Sequence, residues 1–120
     1  MNLPEYRKLI KKPKASKYNN TKVNGYDSRK ESQRATTLQL MQKAGIISFL
    51  QEQAIFELIP SQYRDGKCVE RSCKYVADFT YYKDDIFVVE DVKSPITRTA
   101  EYIIKRKLML HVHGIQILET

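Results

Sequence analysis

A chain of 120 residues, 42% apolar and 29% charged, is long enough for one core and too short for two ordinary domains. Its net charge of +7 is uneven: Arg7, Lys8, Lys11, Lys12, Lys14, Lys17 and Lys22 face Glu5 alone in residues 1–24, while the rest is nearly neutral. A basic arm on a near-neutral body fits an anionic polymer as partner. No apolar run approaches a membrane span or a secretion signal, and only Cys68 and Cys73 could form a disulfide. No membrane association, a cytoplasmic location and two free thiols are the expectation.

Residues 1–24 hold Pro4, Pro13, Asn19-Asn20 and Asn24-Gly25 with little apolar periodicity. They read as an arm, with residues 25–120 as the folded domain. Ser28 opens a helix to about Ala44, stopped by Gly45. A short strand spans about Ala54 to Ile59 and ends at Pro60. Arg64-Asp65-Gly66-Lys67 is a turn, and Cys68 to Tyr82 reads as one long strand, bent near Arg71-Ser72. Ile86 to Lys93 is the next strand, stopped before Pro95. A second helix covers about Arg98 to Val112, with Ala100, Ile104 and Leu108 on one stripe and Ile103 and Leu110 flanking it. His113-Gly114 ends it, and Ile115 to Leu118 forms a last strand. The order αβββαβ predicts an α/β fold whose last strand, reached by a helical crossover, lies parallel to its neighbour.

The two central strands carry the chemistry. If Asp84 and Asp85 form the turn, Lys83 faces Ile86, and Asp78 falls opposite Asp91. Alternation puts Asp91 and Lys93 on one face, and Asp78 joins them. Opposed carboxylates repel, and a divalent cation between them removes that penalty. An adjacent ammonium then helps hold a phosphate. A surface hairpin with an Asp91–Lys93 salt bridge explains those two residues but not Asp78. Glu90 should face away from the cluster, and a one-residue slip would exchange it with Asp91.

Glu31 has two readings. Ser28-Arg29-Lys30-Glu31 fits a capping box. Glu31 also shares a stripe with Ala35 and Leu38, which points its carboxylate inward. Lys105 and Lys107, with Arg98 and Arg106, make the second helix basic, either as a solvated face or as a phosphate track. Arg29 and Lys30 add cations to the first helix, and Lys11, Lys12, Lys14 and Lys17 to the arm. His111, His113, Cys68 and Cys73 lack the spacing of a compact zinc site, so oxygen ligands and magnesium fit better. The eight tyrosines are mostly packing residues, with one or two free to stack on bases. There is no Walker A loop, GxGxxG or nucleophile elbow.

Asp78, twelve residues, then Asp91-Val92-Lys93 resembles the PD-(D/E)xK nuclease signature, with Ala77 in the usual Pro position and Asp91 for the commoner Glu. The helix carrying Glu31 is similar to the acidic helix of Holliday-junction resolvases and transposon-end endonucleases of that superfamily. Asp27 to Glu31, Tyr75 to Phe79, Val89 to Lys93 and Tyr102…Lys105-Arg106-Lys107-Leu108 together resemble a family of small, nuclease-like phage and prophage proteins of unassigned function.

The resemblance implies a restriction-endonuclease-like core with a mixed sheet flanked by helices. It implies Asp78, Asp91, the Val92 carbonyl and Glu31 as metal ligands. It makes Lys93 the residue that positions or activates the attacking water and stabilises the developing phosphorane charge. The implied cofactor is Mg²⁺, with Mn²⁺ as substitute, and the implied assembly a homodimer. The expected activity is endonucleolytic cleavage of branched DNA in phage recombination or replication, in the bacterial host cytoplasm. A nicking or restriction-like enzyme on duplex DNA and a non-catalytic DNA-binding accessory protein are the alternatives.

Overall fold

The computed structural model describes residues 28–120. The arm, with Lys11, Lys12, Lys14 and Lys17, and the boundary expected at residue 24 lie outside the described residues. The elements are α1 (Arg29–Lys43), β1 (Ser48–Ile59), β2 (Gln62–Arg64), β3 (Lys67–Glu70), β4 (Cys73–Lys83), β5 (Ile86–Asp91), α2 (Ala100–His113) and β6 (Leu118–Glu119). The fold is α/β: a mixed four-stranded sheet in the order β1-β4-β5-β6, and a separate β2-β3 hairpin. Strands β1, β4 and β5 run antiparallel, and β6 lies parallel to β5 after the α2 crossover, as expected. Residues 28–37 and 38–120 belong to separate compact units.

Helix α1 starts where the Ser28 hydroxyl accepts the Glu31 backbone N–H at 3.0 Å, and it stops at Gly45, whose φ is 78°. Glu31, Ala35 and Leu38 form a buried stripe along it.

The last strand is Leu118–Glu119 rather than Ile115 to Leu118, β5 ends at Asp91 rather than Lys93, and three larger expectations also need correction. First, β1 begins at Ser48 rather than Ala54. A bulge between Ser48 and Gln51, with Phe49 at φ 53°, carries the strand past a point where the sequence shows no alternation. Second, the long Cys68–Tyr82 strand is two strands. Pro60 has no N–H with which to extend β1, so Lys67–Glu70 pairs with Gln62–Arg64 instead, and the chain re-enters the main sheet at Cys73. Third, Ala100 and Ile104 of the expected α2 stripe are exposed, Ile104 at 59%, while Tyr102 and Met109 are buried. Tyr102 turns inward because its hydroxyl has a partner there, described below.

Helix α2 is capped at both ends. The Thr99 side chain accepts the Tyr102 N–H at 3.2 Å, and Gly114 at φ 69° closes the C-terminus. The helix packs on β1 and β4. Tyr102 and Met109 join Leu58, Tyr75, Ala77, Val89 and Ile117 in the core.

Candidate active site

The β4-β5 hairpin has the expected register. Lys83 pairs with Ile86, and the ladder runs to Phe79 opposite Glu90. Asp84 and Asp85 form the turn, at φ 52° and 63°. Two consecutive positive φ values define a turn whose twist matches that of the strands. One further step sets Asp78 level with Asp91.

At that step the sheet departs from simple alternation. Strict alternation would place Tyr75 and Tyr81 on one face of β4, and Glu90 and Asp91 on opposite faces of β5. Yet the Tyr75 hydroxyl donates to Asp91 Oδ2 at 2.7 Å, and the Tyr81 hydroxyl donates to Glu90 Oε1 at 2.7 Å. The alternation of β4 therefore breaks between the two tyrosines. The break sits at Asp78: Glu52 pairs with Phe79 and Ala54 with Ala77, but the pair between them is missing, and Gln53 has φ 57°. Freed from the β5 ladder, Asp78 turns its carboxylate to the next strand and accepts the Val92 N–H at 2.8 Å.

Asp91 is buried, with 3% of its surface exposed. Its Oδ2 takes both the Tyr75 hydroxyl and the Lys93 ammonium, the latter at 3.2 Å. No donor among the described residues reaches Oδ1. The Lys93 ammonium also lies 4.2 Å from the centre of the Tyr102 ring. The backbone around Asp91 is fixed by β6, because Thr120 N–H donates to Asp91 O at 3.0 Å and Lys93 N–H to Thr120 O at 2.9 Å.

Behind this group stands a second one. The Tyr102 hydroxyl donates to Glu119 Oε2 at 2.7 Å, Arg106 donates to the same oxygen at 3.2 Å, and Arg98 pairs with Oε1. The Tyr102 hydrogen bond, reinforced by the two arginines against some desolvation, holds the Glu119 carboxyl below its ordinary range. Burial is the main cause that pushes the Tyr75 hydroxyl far above its ordinary pKa, and Asp91 and then Asp78 add to it. Both carboxylates thus act on one hydroxyl. Burial and the Glu119 hydrogen bond push Tyr102 up as well.

The hairpin therefore brings together Asp78, Asp91, Val92 and Lys93. Among the described residues, no three His, Cys, Asp or Glu side chains cluster as a metal-binding group. Glu31 is buried in the first turn of α1 and belongs to the other compact unit, as do the exposed Arg29 and Lys30. Glu90 faces away from Asp91, as expected, and is fully buried between Tyr81 and Thr120. Lys105 pairs with Glu101 at 3.1 Å, while Lys107 is exposed beside Arg106. His113 bonds the Glu57 carbonyl at 2.7 Å. Sequence reasoning missed Tyr75, Tyr102 and Glu119 as partners of the site. Tyr75 and Tyr102 entered only as members of the segments that carry the family resemblance, and Glu119 left no signal.

Fold and site together define an α/β protein with a carboxylate pair and a lysine at the mouth of a hairpin. A family model described as "Protein of unknown function (DUF1064)" matches residues 11–116, and the chain belongs to that family. No curated protein and no solved structure matches the chain. No helix among the described residues is long and apolar enough to cross a membrane.

Proposed function

We propose that this protein is a metal-dependent DNA endonuclease of the PD-(D/E)xK type, acting on branched DNA. The observation that carries the reading is the asymmetry of Asp91. Two donors crowd Oδ2, and the other oxygen is buried without a donor among the described residues. A buried carboxylate oxygen without a partner is costly, and a divalent cation satisfies it. Asp78, held one residue away on the Val92 N–H, is the second anionic ligand, and the donor set of hard oxygens suits Mg²⁺ or Mn²⁺. The bound ion would supply Lewis-acid polarisation of the phosphate and a more acidic water.

Lys93 carries out the remaining step. Its side-chain nitrogen is held beside Asp91 and over the Tyr102 ring. It offsets charge on the phosphate oxygens as water bonds to phosphorus, losing a proton to solvent, and the bond to the 3′ oxygen breaks, that oxygen leaving as a hydroxyl after taking a proton from solvent. The product strand keeps a 5′-phosphate. The basic arm and the Arg106–Lys107 face supply phosphate contacts without sequence preference.

The test is an assay of the purified chain on labelled junction, flap, duplex and single-stranded DNA, with Mg²⁺, Mn²⁺ or chelator. Asp78→Asn, Asp91→Asn and Lys93→Ala should lose cleavage by at least about a hundredfold while still binding DNA. Glu31→Gln belongs in the same series, because the resemblance makes it a further ligand. Absence of metal-dependent cleavage on every substrate refutes the proposal, and equal rates on junction and duplex remove branched DNA as the preferred substrate.

A further inference from the structure

Phe87, Val89 and Asp91 alternate along one face of β5. Helix α2 covers the part of that face holding Val89, Tyr75 and Ala77. Toward the hairpin turn the same face is open. It forms a recess of about 450 Å³ lined by Phe49, Gln51, Thr80, Tyr82 and Phe87. Phe49 is 78% exposed, Tyr82 42% and Phe87 39%. The rings are not stacked flat on one another. Phe49 meets Tyr82 edge-on at 6.1 Å, and Tyr82 meets Phe87 tilted by 48° at 5.1 Å. Such an arrangement leaves ring faces for a further planar group.

We propose that this recess receives an unpaired nucleobase of the DNA strand held at Asp78 and Asp91. The inference rests on the nuclease reading and narrows its substrate to branched DNA with unpaired bases beside the branch. Three observations choose the base over other occupants. The lining carries no charge, and the neighbouring turn holds Asp84 and Asp85, so the recess suits a neutral ring and disfavours a phosphate. Gln51 and Thr80 bring donors and acceptors to the edge of a base. The bulge at Phe49 distorts the edge strand β1, which works against pairing with a second copy.

The distance also fits. Four strand residues from Phe87 to Asp91 span about 13 Å. That is about four nucleotides at B-form spacing, and fewer in an extended strand.

The experiment uses a DNA flap with the fluorescent base 2-aminopurine at successive unpaired positions, bound to the full chain in chelator. Binding should quench one position, and Phe87→Ala or Phe49→Ala should remove that quench. The same variants should weaken flap binding about tenfold relative to fully paired duplex. Phe87→Tyr should restore both, which separates loss of stacking from loss of fold. Quenching unaffected by either variant, or equal weakening on flap and duplex, overturns the inference. So does a wild-type dimer that the variants turn into monomers, because a second copy then occupies the recess. Cleavage in Mg²⁺ is read in parallel. A chain that quenches but never cleaves keeps the recess and refutes the nuclease, and a chain that cleaves without aromatic-dependent quenching does the reverse.

Discussion

If Asp78 and Asp91 hold a divalent cation, Mg²⁺ must stabilise the folded chain, whatever DNA it acts on. The gain follows from mass action. At a Mg²⁺ concentration about ten times the dissociation constant, the native state gains about 1.4 kcal/mol. For a domain of this size that raises Tm by about 5 °C. Asp91→Asn keeps the shape of the side chain and an oxygen for the Tyr75 hydroxyl, but it removes the charge and can place an amide where Oδ1 now lies. Its Tm should not respond to Mg²⁺. In chelator it should already be less stable than wild type by about 3 kcal/mol, because the ammonium of Lys93, only 17% exposed, loses its ion pair. Asp78→Asn should also lose the Mg²⁺ response. The assay is thermal unfolding in chelator and across a Mg²⁺ series, followed by circular dichroism. A wild-type Tm that ignores Mg²⁺ refutes the carboxylate pair as a metal site. A shift that survives in both Asn variants places the ion elsewhere.

Further consequences follow from the surrounding contacts. Tyr75→Phe removes one charge-assisted hydrogen bond to a buried carboxylate and should cost about 1.5 kcal/mol in urea unfolding, the low end of the range because Lys93 still serves the same oxygen; an unchanged midpoint would mean that the bond does not form. Glu119 has a lowered folded pKa, so its contribution is complete above its ordinary value of 4.5 and is lost as pH falls through the folded value. Glu119→Gln should flatten that acid limb, and an identical limb would refute it. Tyr75 and Tyr102 are shifted upward from 10.0, so their contribution is complete below pH 10 and declines above it. In an alkaline absorbance titration at least two of the eight tyrosines should ionise only with unfolding. Deleting residues 1–17, which hold six cations, should lower the slope of log affinity against log salt by up to about 5 without changing sequence preference; an unchanged slope would exclude the arm from binding.

The hairpin register was legible because two local signals agreed. β-branched and aromatic strands flanked a short polar turn, and only one turn position left Lys83 opposite Ile86. The helix ends were legible for the same reason, through Ser28, Gly45 and Gly114. What escaped were features set by long-range partners. Tyr102 is the clearest case. Periodicity favoured Ala100 and Ile104 for the buried face, but a phenol that reaches Glu119 and carries an ammonium on its ring outweighs the apolar count. The break in β4 left no local mark either. Nothing in Ala77-Asp78-Phe79 distinguishes a strand that alternates from one that does not, and the left-handed residue that accompanies the break is Gln53, on another strand.

That break carries a final prediction. At Gln53 a non-glycine residue holds φ 57°, a region that L-residues other than Asn and Asp rarely occupy. If this conformation is what lets β4 change face at Asp78, substitutions at residue 53 should act on the site through the backbone. Gln53→Asn tolerates the left-handed region and should leave stability within about 0.5 kcal/mol of wild type. Gln53→Val, whose branched side chain resists positive φ, should cost about 1–2 kcal/mol and also weaken the Mg²⁺-dependent rise in Tm. A general loss of packing would lower Tm in chelator and in Mg²⁺ alike, and would leave the difference between them unchanged. The difference is therefore the quantity to measure. If Gln53→Val lowers stability but keeps the full Mg²⁺ response, the irregular pair is only a feature of the sheet edge, and the placement of Asp78 has another cause.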